Sequence, residues 1–137
     1  MDRGSFLDAL NEDLQTEYQS IVQYINHIAT VTGAEFLSVI DELKVHVGQE
    51  LNHAQILAEQ IAFLGGTPST FVPEVEEATG REALAADLDL EENQLDRYRE
   101  RFKQAMDLEL ADVGEALRPL LEQTQEHVRD LQTALGR

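Results

Sequence analysis

Two pairs of residues in this sequence have the spacing that places both side chains on one face of a helix. Glu50 is followed three positions later by His53, and Thr124 is followed three positions later by His127. Residues three apart on an α-helix are neighbours on its surface. Carboxylate oxygen and imidazole nitrogen are ligands that iron and manganese accept. We therefore treat these two pairs as candidate parts of a metal-binding site.

Two further acidic residues, Glu17 and Glu91, each interrupt an otherwise apolar helical stripe. Glu17 precedes Glu50 by 33 positions, and Glu91 precedes Thr124 by the same 33 positions. In a helical hairpin, such a separation brings both residues to the same height. Buried carboxylates are costly to desolvate unless a cation lies between them. The pattern predicts one central layer in which metal ligands converge.

Four segments carry apolar residues at three-and-four spacing, which is typical of amphipathic helices. Gly33 lies between the first two segments, and Gly65-Gly66-Thr67-Pro68 ends the second. No Gly or Pro lies at the boundary between the last two segments. One unbroken helix over both segments would nevertheless extend ~80 Å, and the first two helices could not pack along that whole length. We therefore place an N-cap at Asp107. The predicted helices are residues 4–31, 34–64, 80–106 and 108–135.

The segment between the second and third predicted helices is long enough to cross a bundle. Its roughly fifteen residues, extended at ~3.3 Å each, reach ~50 Å, compared with ~40 Å for a helix. The two short connections make their helices antiparallel, whereas the long one leaves helices two and three parallel. The sequence predicts one all-α domain, 1–137, that forms a four-helix bundle with one long crossover between helices two and three. A bundle of this kind can carry a di-metal site built from one Glu on each of two helices and Glu-x-x-His on the other two.

Composition excludes several classes of function. Ten basic and 27 acidic residues give a net charge of -17, and a field of that sign repels nucleic acid. The absence of cysteine excludes disulfides and thiolate metal sites. No stretch approaches the ~20 apolar residues of a membrane span, and the N-terminus has no apolar signal core. We expect no membrane association and a cytoplasmic location.

Three stretches of the chain resemble the bacterioferritin branch of the ferritin-like superfamily, and the second of them is the most specific. They are Leu10 to Tyr24 (LNEDLQTEYQSIVQY), Glu50 to Pro68 (ELNHAQILAEQIAFLGGTP) and Asp87 to Glu91 (DLDLE). The resemblance implies a ferritin-like bundle that binds two irons and oxidises Fe(II) with dioxygen or peroxide. By motif match, it implies metal-ligand roles for Glu17, Glu50, His53, Glu91 and His127.

The chain departs from that family at three places. Thr124 stands where the family has a bridging Glu, and a hydroxyl is a poor bridge. Its neighbours Glu122 and Glu126 are each two residues away, ~200° around the helix, so they point elsewhere. Leu51 stands where a haem-ligating Met would follow the second-helix Glu, so no haem is expected. The sequence ends ten residues after His127, where the family continues into a short fifth helix, which disfavours a hollow storage cage.

Residues beside the candidate ligands allow further expectations. Tyr24 lies two turns beyond Glu17 on the same stripe, so its hydroxyl can hydrogen-bond a ligand. His46 lies one turn before Glu50 and is either an auxiliary ligand or, as we favour, a boundary residue without a metal role. His27 is one position off its stripe and is predicted at the surface or an interface.

Three residues of the third helix are interpreted as structural. Tyr98 and Phe102 are predicted to be core residues. Asp87 lies one turn before Glu91, where it could guide ions inward. Stabilisation of the helix N-terminus is the interpretation that we favour for Asp87.

The leading hypothesis is an iron-oxidising or oxygen-handling enzyme with a modified dinuclear centre. Glu17 and Glu91 would be terminal ligands, Glu50 a bridge, and the two imidazoles nitrogen donors, while Thr124 would hold a water or hydroxide. One alternative is a non-catalytic metal-binding or assembly module that holds one ion at Glu50, His53 and nearby carboxylates. Another is a helical protein whose site has decayed.

The expected partners follow from the leading hypothesis. Iron is the expected metal, with manganese or zinc as alternatives, and dioxygen or peroxide is the expected oxidant. A homo-oligomer, at least a dimer, is expected because bundles of this size often pair through one helical face.

Overall fold

The protein consists of four long α-helices, and no strand is present. The computed structural model describes residues 1–137. A 3₁₀ turn over Ala34–Phe36 precedes the second helix, and the helices are α1 (Arg3–Thr30), α2 (Leu37–Phe63), α3 (Gly80–Asp107) and α4 (Ala111–Leu135). The predicted all-α class and four-helix architecture are confirmed. None of the helices is long and apolar enough to cross a membrane.

The turn between α3 and α4 corrects the predicted start of the fourth helix. Asp107 is the last residue of α3, not an N-cap, and α4 begins at Ala111 rather than at 108. The N–H of Leu110 donates to the carbonyl of Ala105 (2.8 Å), and the N–H of Glu109 donates to that of Met106 (3.0 Å). This pattern ends a helix with a left-handed residue, usually glycine. Here Glu109 takes that conformation, with φ 61°.

The long segment between α2 and α3 runs along α1, as the predicted crossover requires. A row of amide side chains at four-residue spacing on α1 holds it. Asn11 accepts from the N–H of Ser69 (2.7 Å), Gln15 donates to the Ser69 hydroxyl (3.0 Å), and Gln19 donates to the carbonyl of Glu74 (3.3 Å). Because the crossover travels in the direction of α1, it delivers α3 parallel to α2.

A buried ion pair ties α1 to α3 near one end of the bundle. Asp13 is 1% exposed. Its carboxylate accepts from Arg101 at 2.7 and 3.0 Å and from Arg97 at 2.8 Å. Removal of one partner from such a pair strands a buried charge, which typically costs about 3–5 kcal/mol. The pair therefore fixes the register of α1 against α3.

A second buried pair ties the same two helices towards the other end. His27 Nδ1 lies 2.8 Å from Asp87 Oδ1, and Gln23 donates to the same oxygen at 2.9 Å. His27 is fully buried, so its predicted place at the surface or an interface is wrong. Asp87 pairs with α1 side chains and does not serve mainly to stabilise the N-terminus of α3. The expectation failed because one helical stripe does not reveal which helix packs beside it.

The apolar core is divided into two clusters, one towards each end of the bundle. The first includes Phe6, Leu10, Leu14, Leu57, Ile61 and Leu117. The second includes Phe36, Leu43, Leu84, Leu88, Val128 and Leu131. Polar side chains from all four helices lie between the clusters, and they form the candidate site.

Candidate metal centre

Glu17, Glu50, His53, Glu91 and His127, the five predicted ligands, are brought together in one buried layer. None of them is more than 1% exposed, and Thr124 is fully buried beside them. Each helix contributes at least one side chain, because the interrupted stripe of every helix faces the bundle axis. The predicted convergence of the helix midpoints is therefore found in the structure.

The layer consists of two groups of candidate ligands that share one carboxylate. Glu17, Glu50 and His53 have ligand atoms within 4.8 Å of one another, and so have Glu50, Glu91 and His127. Nδ1 of His53 lies 3.5 Å from Glu17 and 3.4 Å from Glu50. Nδ1 of His127 lies 3.0 Å from Glu50 and 3.3 Å from Glu91. Glu50 therefore lies between the two groups, where it could bridge two cations.

Two glutamines fix the orientation of the imidazoles. Nε2 of His53 lies 2.7 Å from Oε1 of Gln123, and Nε2 of His127 lies 2.5 Å from Oε1 of Gln49. Because an amide oxygen only accepts, Nε2 carries the proton in both rings. Each Nδ1 then faces carboxylate oxygens, so each of these contacts needs a shared proton or a cation between the two atoms.

Two tyrosines orient the outer carboxylates from across the bundle. Tyr24 on α1 donates to Glu91 on α3 at 2.7 Å, and Tyr98 on α3 donates to Glu17 on α1 in a short hydrogen bond. Burial and the neighbouring carboxylates raise the pKa of both phenols well above the ordinary value, so they remain donors. The hydrogen bond expected from Tyr24 to a candidate ligand is present in the structure.

The site has an internal two-fold repeat with a displacement of 74 residues. The displacement relates 17 to 91, 24 to 98, 49 to 123 and 53 to 127, and each of these pairs has identical residues. Among the candidate ligands, only one position breaks the repeat, since Glu50 corresponds to Thr124. The Thr124 hydroxyl has no hydrogen-bond partner. The position that corresponds to Glu50 thus holds a hydroxyl.

The flanking ion pairs follow the same displacement. Asp13 corresponds to Asp87, and His27 corresponds to Arg101. Asp13 therefore accepts from an arginine in one half, whereas the equivalent Asp87 pairs with a histidine in the other. Burial disfavours a charged ring, but the hydrogen bond with Asp87 prevails and raises the pKa of His27.

The ionisable groups of the layer shift one another's pKa values. Burial raises the pKa of Glu50 well above its ordinary value, and the carboxylates of Glu17 and Glu91 raise it further. Burial also acts against ionisation of Glu91, but its hydrogen bond with His127 lowers the pKa below the ordinary value. Burial opposes the charged form of His53, yet its contact with Glu17 raises the pKa. The layer therefore retains protons when no metal ion compensates its carboxylates.

The free atoms of the layer fit bound metal ions. Oε2 of Glu17, Glu50 and Glu91 and Nδ1 of His53 are buried without a hydrogen-bond partner. Buried polar atoms are rarely left unpaired in proteins. Carboxylate oxygen and imidazole nitrogen form a donor set suited to iron, manganese and zinc.

The comparison with protein families agrees with this geometry. A family model described as a ferritin-like domain matches residues 7–137. The chain belongs to the ferritin-like family. No curated protein matches this ferritin-like chain.

Among solved structures, the ferritin-like chain is similar to one described as "ferritin like, diiron-carboxylate proteins from Bacillus anthracis str. Ames". The two are 31% identical and superimpose with a TM-score of 0.92, over 98% of this chain and 99% of that chain. The comparison supports a ferritin-like diiron-carboxylate fold for this chain.

His46 lies at the edge of the ferritin-like layer and belongs to a different group. Its ring stacks on that of His127, with centroids 4.0 Å apart, but its Nε2 points to Asp130 at 3.1 Å. The group that could hold an ion with His46 contains Glu42 and Asp130 rather than Glu50. The structure therefore gives no support to His46 as an auxiliary ligand of the central layer.

Three residues around the candidate ligands were not recognised from the sequence. The helical pattern predicts Tyr98 only as a core residue and predicts no role for Gln49 or Gln123. The repeat contains a signal for all three. Tyr98 follows Glu91 at the distance that separates Tyr24 from Glu17, and each glutamine directly precedes the candidate bridging position of its helix.

Proposed function

We propose that this ferritin-like chain binds iron through Glu17, Glu50, His53, Glu91 and His127 and oxidises Fe(II). Among ferritin-like proteins, we place it with the bacterioferritin branch as a non-haem member, in keeping with Leu51. Bound Fe(II) is the substrate and gives an electron to dioxygen or peroxide. Manganese or zinc is the alternative occupant.

One observation carries the proposal. The Nδ1 atoms of His53 and His127 lie 3.0–3.5 Å from carboxylate oxygens on three helices. Both rings already donate from Nε2 to glutamine oxygens. Nδ1 atoms and carboxylate oxygens at such distances repel each other unless a proton lies between them, and a bound cation removes that repulsion.

The chain's own residues hold this arrangement before an ion arrives. The phenols of Tyr24 and Tyr98 each engage Oε1 of a carboxylate. Oε2 of Glu91 and of Glu17 remains free. Hydrogen bonds of this kind orient ligands and tune their basicity, and their loss typically lowers metal affinity about 10–100-fold. Burial excludes bulk water from the layer and strengthens each ion–ligand contact.

Thr124 gives the proposed centre an asymmetric character. Its buried hydroxyl can hold a water or hydroxide where a second bridging carboxylate would otherwise lie. Each of the two ions would then have one anionic oxygen ligand fewer. We expect the pair to bind less tightly than it would beside a second bridging glutamate.

Anaerobic Fe(II) titration followed by admission of oxygen tests the proposal. We expect ferric absorbance and oxygen uptake from the wild-type chain, and loss of both in Glu50→Gln. The matched control is Glu59→Gln, because Glu59 is an exposed residue of α2. A wild-type chain that binds Fe(II) without ferric absorbance or oxygen uptake would rule out the oxidase activity.

A non-catalytic module with one bound ion is the second candidate. Thr124 favours it, because a hydroxyl bridges two metal ions poorly. The stoichiometry of metal in natively purified protein separates the two candidates. One tight ion per chain favours the module, and two favour the dinuclear enzyme.

We further propose that the chain forms a homo-oligomer, at least a dimer. Large apolar side chains are exposed on the first two helices, including Val22, Ile25, Val45 and Leu51. Light scattering during size-exclusion chromatography gives the mass that decides this proposal. The cytoplasmic location stays a prediction from the sequence.

A further inference from the structure

A second cluster of potential ligands lies outside the central layer, between α2 and α4. Glu42, His46 and Asp130 have ligand atoms within 4.8 Å of one another. All three line a surface cavity of about 290 Å³. Glu42 and Asp130 are exposed, whereas His46 is only 2% exposed and forms an inner part of the wall. The cluster therefore connects solvent with the buried side of the cavity.

The free nitrogen of His46 makes its ring available as a ligand. Nε2 lies 3.1 Å from Asp130 Oδ2, whereas Nδ1 is buried without a hydrogen-bond partner. Transfer of the ring proton to Nδ1 would leave the Nε2 lone pair directed towards the carboxylate. An ion between these atoms would have one nitrogen and two carboxylate groups as ligands, a set that divalent transition metals accept.

The internal repeat indicates that the fold does not require this cluster. The 74-residue displacement relates Glu42 to Ala116 and His46 to Leu120. It relates Asp130 to Ile56, so the other half of the bundle has apolar residues at all three positions, and two of them, Leu120 and Ile56, pack in or against its core. A half-buried polar cluster in place of an apolar contact costs stability without a ligand.

His46 also places the cluster next to the central layer. Its ring stacks on His127 with centroids 4.0 Å apart and an angle of 23° between the planes. The five candidate ligands of the layer are at most 1% exposed, so an ion must pass a wall to reach them. The two stacked rings lie between the cavity, which His46 lines, and the layer, to which His127 belongs.

We propose that Glu42, His46 and Asp130 form an outer divalent-cation site that receives ions before they enter the central layer. The transfer role rests on the proposed function, whereas binding at the outer site does not. The site is expected to bind more weakly than the layer, because two of its three ligands are exposed to water. The net charge of -17 attracts cations to the chain and raises their rate of arrival.

Anaerobic titration with Co(II), which oxygen chemistry does not consume, tests the proposal through stoichiometry and visible absorption. The variant Glu42→Gln/Asp130→Asn changes two exposed side chains. We expect it to lose one weakly bound ion per chain while it retains the ions of the layer. Stopped-flow filling of the layer at limiting Co(II) should slow by about tenfold. The double variant Glu59→Gln/Glu122→Gln, which neutralises one exposed acid on each of the same helices, should fill at the wild-type rate.

Glu50→Gln separates the failure of this inference from the failure of the proposed function. If it loses the tight ions and keeps the weak one, both sites are supported. Wild-type stoichiometry and filling rate in Glu42→Gln/Asp130→Asn would overturn the outer site. Equal slowing in the two double variants would assign the effect to surface charge and would also overturn it. Absence of tight ions from the wild-type chain would overturn the transfer role together with the proposed function.

Discussion

Gln49 accepts a hydrogen bond from His127, with 2.5 Å between its Oε1 and the Nε2 of the ring. The contact joins α2 to α4 and decides which ring nitrogen faces the carboxylates. Gln123 makes the equivalent contact from α4 to His53 on α2, at 2.7 Å. Helices α2 and α4 thus each supply one imidazole, and each orients the imidazole of the other.

We expect Gln49→Leu to weaken metal binding without unfolding the protein. The ring of His127 would lose the acceptor that holds its proton on Nε2, and loss of such a contact typically lowers metal affinity about 10–100-fold. Calorimetric titration with Co(II) measures the change. Gln55→Leu is the control, since Gln55 is an exposed residue of α2. Equal affinities in the two variants would contradict the orienting role.

The two hydrogen bonds from tyrosine to glutamate that join α1 and α3 should contribute to the stability of the metal-free protein. Tyr98→Phe removes the donor to Glu17 and leaves a buried carboxylate oxygen unpaired, which we expect to lower the free energy of unfolding by about 1–3 kcal/mol. Tyr24→Phe should have a similar effect through Glu91. Urea denaturation with a chelator present measures both, with Tyr18→Phe as the control. A loss no larger than that of the control would show that these bonds contribute little.

Glu50 should make the metal-free protein less stable as the pH rises. Its pKa is raised in the folded state by burial and by two neighbouring carboxylates, so the folded state binds more protons than the unfolded state. The free energy of unfolding therefore falls from the ordinary glutamate pKa upward through the raised value. We expect Glu50→Gln to flatten this decline and to be more stable than wild type near neutral pH. Denaturation at several pH values provides the measurement, and Glu59→Gln should retain the wild-type slope.

Restoration of the internal repeat should favour a second ion. Thr124→Glu places a carboxylate at the position that corresponds to Glu50, and a second bridge should raise two-metal occupancy in Co(II) titrations. Thr124→Val, which removes the hydroxyl at nearly constant volume, should not raise it. An unchanged metal-to-protein ratio in Thr124→Glu would refute the proposed location of the missing bridge.

The two flanking ion pairs should respond differently to pH. The hydrogen bond with Asp87 outweighs burial and raises the pKa of His27. Its contribution to stability is therefore full below the ordinary histidine pKa and is lost as the pH rises through the raised value. The destabilisation by His27→Gln, about 1–3 kcal/mol at low pH, should shrink at high pH.

Arg101→Gln provides the matched control for His27→Gln, because it interrupts the equivalent pair on Asp13. Arginine keeps its charge across the accessible range, so this deficit should persist at high pH. The free energy of unfolding at several pH values measures both variants. If the two deficits followed the same pH dependence, His27 would not be the titrating partner.

Much of the architecture could be predicted from local patterns. Four interrupted stripes indicated four helices that meet in a polar layer, and the long segment after Gly65 indicated the crossover. The turn after Asp107 could not be located, because Glu109 rather than glycine has the left-handed conformation there. A glutamate in the left-handed conformation gives no signal in the sequence. Its strain is offset by the two backbone hydrogen bonds that end α3.

The amino-acid sequence by itself determined which side chains face the axis of the bundle, because helical periodicity places Glu17, Glu50 and Glu91 on the apolar stripes. Tertiary structure alone decided the partners of those side chains. Tyr98 pairs with Glu17 and His27 with Asp87 because α1 and α3 run antiparallel in one register. That register results from packing and paired buried charges across the bundle, so no single helix contains the information.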